Sequence, residues 1–184
     1  MEAARVAALR GHQVTLYEKS GVLGGQMNIA DKPPFKEEFS QITSYLSNQI
    51  EKLGVNVELN RMVTPSVVDD LQPDVLICAT GARPFIPEIK GSTGSIVVTA
   101  FDVLEGNANI GENVVVVGGG RVGVEVSEFL AEKGKKVIVV DVLKRIGKGI
   151  GLSLSMFYMA RLKQLGVKLM PKTRVDEITE NAVI

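Results

Sequence analysis

Val114-Val115-Val116-Val117-Gly118-Gly119-Gly120-Arg121-Val122-Gly123 is the stretch that decides the fold. Four β-branched residues predict a buried strand, and the glycines turn it sharply into an amphipathic helical segment. In a dinucleotide fold the first glycine permits the turn and the second lets backbone approach a pyrophosphate. The third lets helix and strand pack closely, and the helix N-terminus supplies partial positive charge. A second apolar run closes on Asp141, about 20 residues beyond the loop, where an acid hydrogen-bonds an adenosine ribose. A glycine pattern alone is weak evidence. Strand, helix, second strand and acid in this order make it strong, with Gly118, Gly120, Arg121, Val122, Gly123, Glu125 and Asp141 as the expected contacts.

The same signature recurs. Gly134-Lys-Lys-Val-Ile-Val-Val-Asp141 has a partner in Gly11-His-Gln-Val-Thr-Leu-Tyr-Glu18, and the same offset pairs Glu125 with Glu2 and Ala131 with Ala8. Both copies read helix, glycine, strand, acid, which makes Glu18 the first copy's ribose candidate. A second offset pairs Leu53-Gly54-Val55 with Leu165-Gly166-Val167 and Val63 with Val175. Under these offsets the first copy's glycine loop falls just before Met1, and the counterpart of Asp74–Gly81 falls just after Ile184. The expectation is two tandem dinucleotide-binding units with parallel sheets, an α/β fold, both truncated. Residues 1–108 would form the first, lacking its leading strand and glycine loop, and 112–184 the second, lacking its last strand. Glycines at 106 and 111 mark the junction.

Composition sets the outer limits. The chain has 184 residues, 45% hydrophobic, with 19 glycines, enough for two small cores and many tight turns. A formal net charge of zero favours neither nucleic acid nor an anionic membrane as partner. Cys78 is the only cysteine, so this stretch holds no internal disulfide, redox cysteine pair or cysteine-ligated cluster. Inside the apolar run Val75–Ala79 it reads as a small core residue. No apolar run is long enough to span a membrane and no secretory signal opens the chain, so a cytoplasmic location is expected. His12 reads as an exposed residue after a helix end.

A coarse pass gives a helix over 2–10, a strand over 14–18 and a loop carrying Gly24-Gly25. Phe35, Phe39, Ile42, Leu46, Ile50 and Leu53 then recur at helical spacing. Strands are expected over 55–59, over 75–79 as a buried one, over 167–170 and over 175–178, with Glu180-Asn181 as a turn. The helix after the glycine loop should run over 122–133 with Val122, Val126, Phe129 and Leu130 facing the sheet. Ser153 should cap another carrying Leu154, Phe157, Leu162 and Leu165. Strands alternating with helices argue a doubly wound parallel sheet. With the first copy's leading strand absent, the strands over 14–18 and 75–79 are expected to close together or to drive self-association.

Glu18-Lys-Ser-Gly-Val-Leu-Gly-Gly25-Gln26-Met-Asn-Ile-Ala30, the helix after Pro34 and Leu76-Ile-Cys-Ala-Thr80-Gly81-Ala-Arg-Pro84 resemble the flavin half of the two-dinucleotide-binding flavoproteins. More narrowly they resemble the C-terminal part of the multidomain NADH:flavin oxidoreductases, the group of 2,4-dienoyl-CoA reductase, 2-enoate reductase and trimethylamine dehydrogenase. Gly-Gly-Gln followed by Asn-Ile-Ala is the narrow part of the match, which covers essentially the whole chain. The resemblance implies NADH at Gly118, Gly120, Gly123 and Asp141. It implies FAD, in the full-length parent, with Glu18 at the ribose, Gly25 and Gln26 at pyrophosphate and flavin, Val63 at the adenine, Thr80 and Gly81 closing over the cofactor, and Lys19 and Ala79 among the cofactor-binding residues. In trimethylamine dehydrogenase the equivalent site holds ADP. FMN and a 4Fe-4S cluster belong to a preceding barrel domain of the same parent chain, where an activated C=C bond is reduced.

An electron-input subunit of the glutamate synthase or dihydropyrimidine dehydrogenase type, and a non-catalytic nucleotide-binding module, are the alternatives. A disulfide reductase is disfavoured by the single cysteine. Hydride transfer to a flavin needs placement rather than acid–base chemistry, so no catalytic acid or base is expected here, and the chain alone is expected to be inactive. Lys144 and Arg145 read equally well as contacts of a 2′-phosphate and as solvated residues of a glycine-rich loop.

Overall fold

The computed structural model describes all of residues 1–184 and divides them into two compact units. The first comprises Met1–Asp31 with Phe35–Ala82, and the second Lys32–Pro34 with Arg83–Ile184.

In the first unit the alanine-rich α1 (Glu2–Leu9) leads to β1 (Thr15–Tyr17). The short α2 (Met27–Ala30), the amphipathic α3 (Phe39–Lys52), β2 (Asn56–Glu58) and α4 (Pro65–Leu71) follow. β1 and β2 pair in parallel, Leu16 opposite Val57. Asn56 N–H donating to the Val14 carbonyl and Glu18 N–H to the Glu58 carbonyl extend the ladder at both ends. Ile50 of α3 and Val55 are the buried apolar residues of this unit. Thr64-Pro65 starts α4 with proline in its first turn, where the missing N–H costs nothing.

The expected helix over 35–53 begins later than the periodicity implies, because Phe35 adopts a positive φ of 62° outside it. The larger correction is Val75–Ala79. No strand forms there, and Val75, Leu76 and Ile77 are 76%, 54% and 60% exposed. Cys78 is exposed rather than a core residue. A β-branched run becomes a strand only when a neighbour completes its ladder, and this run pairs with neither strand of the unit's two-stranded sheet. No backbone hydrogen bond joins this segment to β1.

The second unit contains α5 (Ala100–Glu105), β3 (Asn113–Val117), α6 (Arg121–Glu132), β4 (Lys136–Asp141), α7 (Leu152–Gln164) and β5 (Lys168–Pro171). Its sheet runs β3-β4-β5, all parallel. β4 is central, and Val137, Val139 and Val140 are buried, as the apolar run of a central parallel strand is expected to be. α6 lays Val124, Val126, Leu130 and Ala131 into the core. Val122, expected on that face, is 50% exposed, because it sits at the open N-terminal turn.

α5 is too short for apolar periodicity to mark it, but Thr99 and Asp102 form a reciprocal capping box at its start. α7 starts at Gly151 rather than at a Ser153 cap, and it buries Tyr158 and Leu162 while Leu154 and Phe157 face outward. The segment 175–178 forms isolated bridges, Lys90 with Glu177 and Ile178 with Val183, instead of a strand. The expected turn at Glu180-Asn181 is present, closed by Thr179 N–H donating to the Ala182 carbonyl.

Candidate functional site

β3 delivers the chain to its three glycines at the C-terminal end of the sheet, where ligands of open α/β folds bind. Gly118 takes a positive φ of 108°, the left-handed region that a residue with a side chain avoids. Gly123 packs so tightly that a Cβ there would stand 1.8 Å from the carbonyl oxygen of Gly118. Gly120 is the N-cap of α6 in extended backbone (φ −72°, ψ −171°), with no side chain capping the helix. A Cβ on Gly120 would meet nothing within 4 Å. The loop therefore has a turn glycine, a packing glycine and a glycine facing open space at an uncapped helix N-terminus, which is the fit a pyrophosphate needs.

Asp141 ends β4 beside this loop. One carboxylate oxygen accepts from Gly119 N–H at 2.7 Å and the other from Leu143 N–H at 2.8 Å. The structure thus brings Asp141 to the glycine loop, as the spacing implies. It also assigns work to Gly119, which the spacing did not single out. That residue is buried, against the loop that follows β4.

A polar seam joins the start of α6 to α7. Arg121 Nε lies 3.4 Å from Glu125 Oε1, and the Tyr158 hydroxyl donates to the same oxygen at 3.2 Å. Burial, followed by the nearby Glu125 charge and the hydrogen bond to it, pushes the Tyr158 hydroxyl up to about 12. Farther along, Arg161 pairs with Glu128, which has no exposed side-chain surface, and with Glu132. Glu125 is 8% exposed and engaged inside this seam. Glu125 is among the contacts expected of the loop; its place in a seam with Tyr158 is not signalled by the sequence.

In the first unit Glu18 ends β1 and accepts from both Ser20 N–H (2.8 Å) and the Ser20 hydroxyl (2.9 Å) through one oxygen. Gly25 (φ 51°) leads into Gln26, whose amide donates to the Ala82 carbonyl at 2.6 Å. A Cβ on Gly81 would touch the same amide at 3.7 Å. The Gly-Gly-Gln and Thr-Gly motifs, far apart in the chain, therefore meet. Lys19, Val63, Ala79 and Thr80 are exposed, with no hydrogen bond linking them to this pair of motifs. A counterpart of the Gly118–Gly123 loop is not among the residues of this unit.

Three comparisons locate the chain among known proteins. The model of the pyridine nucleotide-disulphide oxidoreductase family matches residues 1–184. The chain is 40% identical over 183 residues to bilirubin reductase of Mediterraneibacter gnavus, all of it matching 28% of that enzyme. It is 39% identical over 141 residues to cinnamate reductase of Clostridium sporogenes, with 77% of this chain matching 21% of that one. Among solved structures, 2-naphthoyl-CoA reductase in complex with 2-naphthoyl-CoA is similar with a TM-score of 0.94 at 35% identity, over 99% of this chain and 28% of the other. The chain thus spans less than a third of the length of these relatives. No helix is long and apolar enough to cross a membrane. By the match over its whole length, this chain belongs to the pyridine nucleotide-disulphide oxidoreductase family.

Proposed function

We propose that the chain is the electron-input module, NADH to FAD, of a multidomain flavin-dependent oxidoreductase that reduces activated C=C bonds of the enoate or dienoyl-CoA type. The observation that carries this is the second unit's loop, with Gly120 open, α6 uncapped and Asp141 seated beside both. The names of the reductases it resembles, bilirubin, cinnamate and 2-naphthoyl-CoA, support the substrate class.

In this reading residues 112–184 form the nicotinamide-nucleotide unit and 1–108 the flavin-type unit. The bound nicotinamide nucleotide supplies the hydride. The backbone N–H groups of Gly120 and of the first turn of α6 hold its pyrophosphate, while those of Gly118 and Gly119 donate to the Val140 carbonyl and to Asp141. Asp141 accepts from the ribose hydroxyls and repels a 2′-phosphate, which favours NADH over NADPH. Gly25, Gln26, Thr80 and Gly81 orient the flavin and Glu18 its ribose. A barrel domain carrying FMN and a 4Fe-4S cluster would receive the electrons.

Calorimetric titration of the chain with NADH and NADPH tests the nucleotide assignment. Saturable NADH binding, tighter than NADPH, is expected, and equal or tighter NADPH binding contradicts the role of Asp141. Flavin absorbance tests the other half. Because the first unit lacks a glycine loop among these residues, little FAD and negligible NADH oxidation are expected, and stoichiometric FAD with turnover refutes it.

A further inference from the structure

Of the three consecutive glycines, Gly119 is the buried one. The loop after β4, residues 142–151, passes over it on the way to α7. Ile146 and Ile150 anchor this strap in the core at 3% and 8% exposure. Lys172 N–H, donating to the Leu143 carbonyl at 2.8 Å, ties the strap to the end of β5. Gly147 N–H donates to the Gly119 carbonyl at 2.6 Å, while Gly119 N–H donates to Asp141. A Cβ on Gly119 would stand 2.6 Å from Ile146 Cδ1 and 3.0 Å from its Cγ2.

We propose that Ile146 and Gly147 are positioning residues of the dinucleotide site, acting through Gly119. The proposal rests on the reading of the second unit as nucleotide-binding. A run of three glycines loses more conformational freedom on ordering than any other tripeptide. Here that cost is met in the fold rather than at binding. The middle peptide is held on its donor side by Asp141, on its acceptor side by Gly147, and across its face by Ile146. A site ordered in advance binds more tightly because less freedom is lost on association. The arrangement also fixes direction of approach. Ile146 closes the Gly119 face, and the faces of Gly118 and Gly120, where added Cβ atoms would meet nothing within 4 Å, stay open.

Asp141 then has two tasks. Its oxygens already accept from Gly119 and Leu143, and a carboxylate offers roughly four acceptor positions, so a ribose hydroxyl adds to these bonds rather than displacing them. Removing the carboxylate releases the loop, and Asp141→Ala should weaken NADPH binding along with NADH instead of switching preference.

The test is a binding cycle read with NADH. Gly119 lies outside the left-handed region, so alanine suits its backbone; its Cβ would meet Ile146 Cδ1 first, at 2.6 Å, and Asp141 Oδ2 only at 3.3 Å. Gly119→Ala should weaken NADH binding by about tenfold. Ile146→Val removes the Cδ1 atom and should cost about twofold alone. The double variant should bind at least about threefold more tightly than Gly119→Ala. Thermal midpoints accompany each titration, because a variant that is merely less stable, yet still folded, keeps its Kd. If Ile146→Val leaves residual contact through Cγ2, Ile146→Ala serves as the second rescue variant. Failure of both rescues places the collision on the nucleotide itself and overturns the proposal. A wild-type chain that does not bind NADH overturns the nucleotide reading first, and the positioning role with it.

Discussion

The two units run the same pattern of helix, strand and acid, yet they bury it differently. α6 contributes seven buried residues and α1 contributes none. β4 has a strand on either side and Val139 fully buried, whereas β1 has β2 alone, with Thr15 exposed and Leu16 and Tyr17 half-buried. The difference is β3. In the second unit a strand precedes the helix, takes one edge of β4, and carries the glycine loop. In the first unit the corresponding edge of β1 is unpaired, and the run at Val75–Ala79 lies exposed. Sequence repeats therefore specify a pattern, while burial comes from which neighbours complete it.

The sharpest attempt to break the comparison is Gly120→Val. Valine fits the extended backbone and the open space there, so the thermal midpoint should hold. The side chain takes the place of the pyrophosphate, and NADH affinity should fall by about 100-fold or more. Wild-type affinity in the folded variant would reduce the loop to a structural turn, and the two units would then differ only in packing.

Core truncations measure that packing. Val139→Ala should cost about 2 kcal/mol in denaturant unfolding, while Leu16→Ala, the larger deletion at a half-buried position, should cost less than about 1 kcal/mol. Equal costs would show that β1 is as well supported as β4.

The smallest effect concerns the seam between α6 and α7. The fold favours the neutral Tyr158 hydroxyl, so its contribution is complete below the ordinary value of 10.0 and is lost as pH rises from there toward about 12. Tyr158→Phe should cost about 1 kcal/mol at neutral pH and remove this alkaline loss from the stability profile. An unchanged profile would assign the loss to other groups.

Much of the second unit was legible because its signals are local. The valines of β3, the glycines and Asp141 lie within one strand–helix–strand unit whose spacing is set by geometry. The repeat exposed β1 and Glu18 in the same way. What failed depended on neighbours. Val75–Ala79 has the composition of a strand and no partner. α7 carries apolar residues around much of its circumference, so the choice of Tyr158 and Leu162 over Leu154 and Phe157 was made by α6. Gly119 is not among the expected contacts, because the side chain that packs on it, Ile146, lies beyond a helix and a strand. The Gln26–Ala82 bond joins segments whose separation no periodicity describes.

Hydrogen–deuterium exchange with and without saturating NADH reads both units in one experiment and tests the central claim that the nucleotide site lies in the second. The account predicts slowed exchange at Gly118–Gly123 and at Asp141–Gly147, and none at Glu18–Gln26 or Ala79–Gly81. Protection centred on the first unit, or no protection anywhere in Gly118–Gly123, would contradict it.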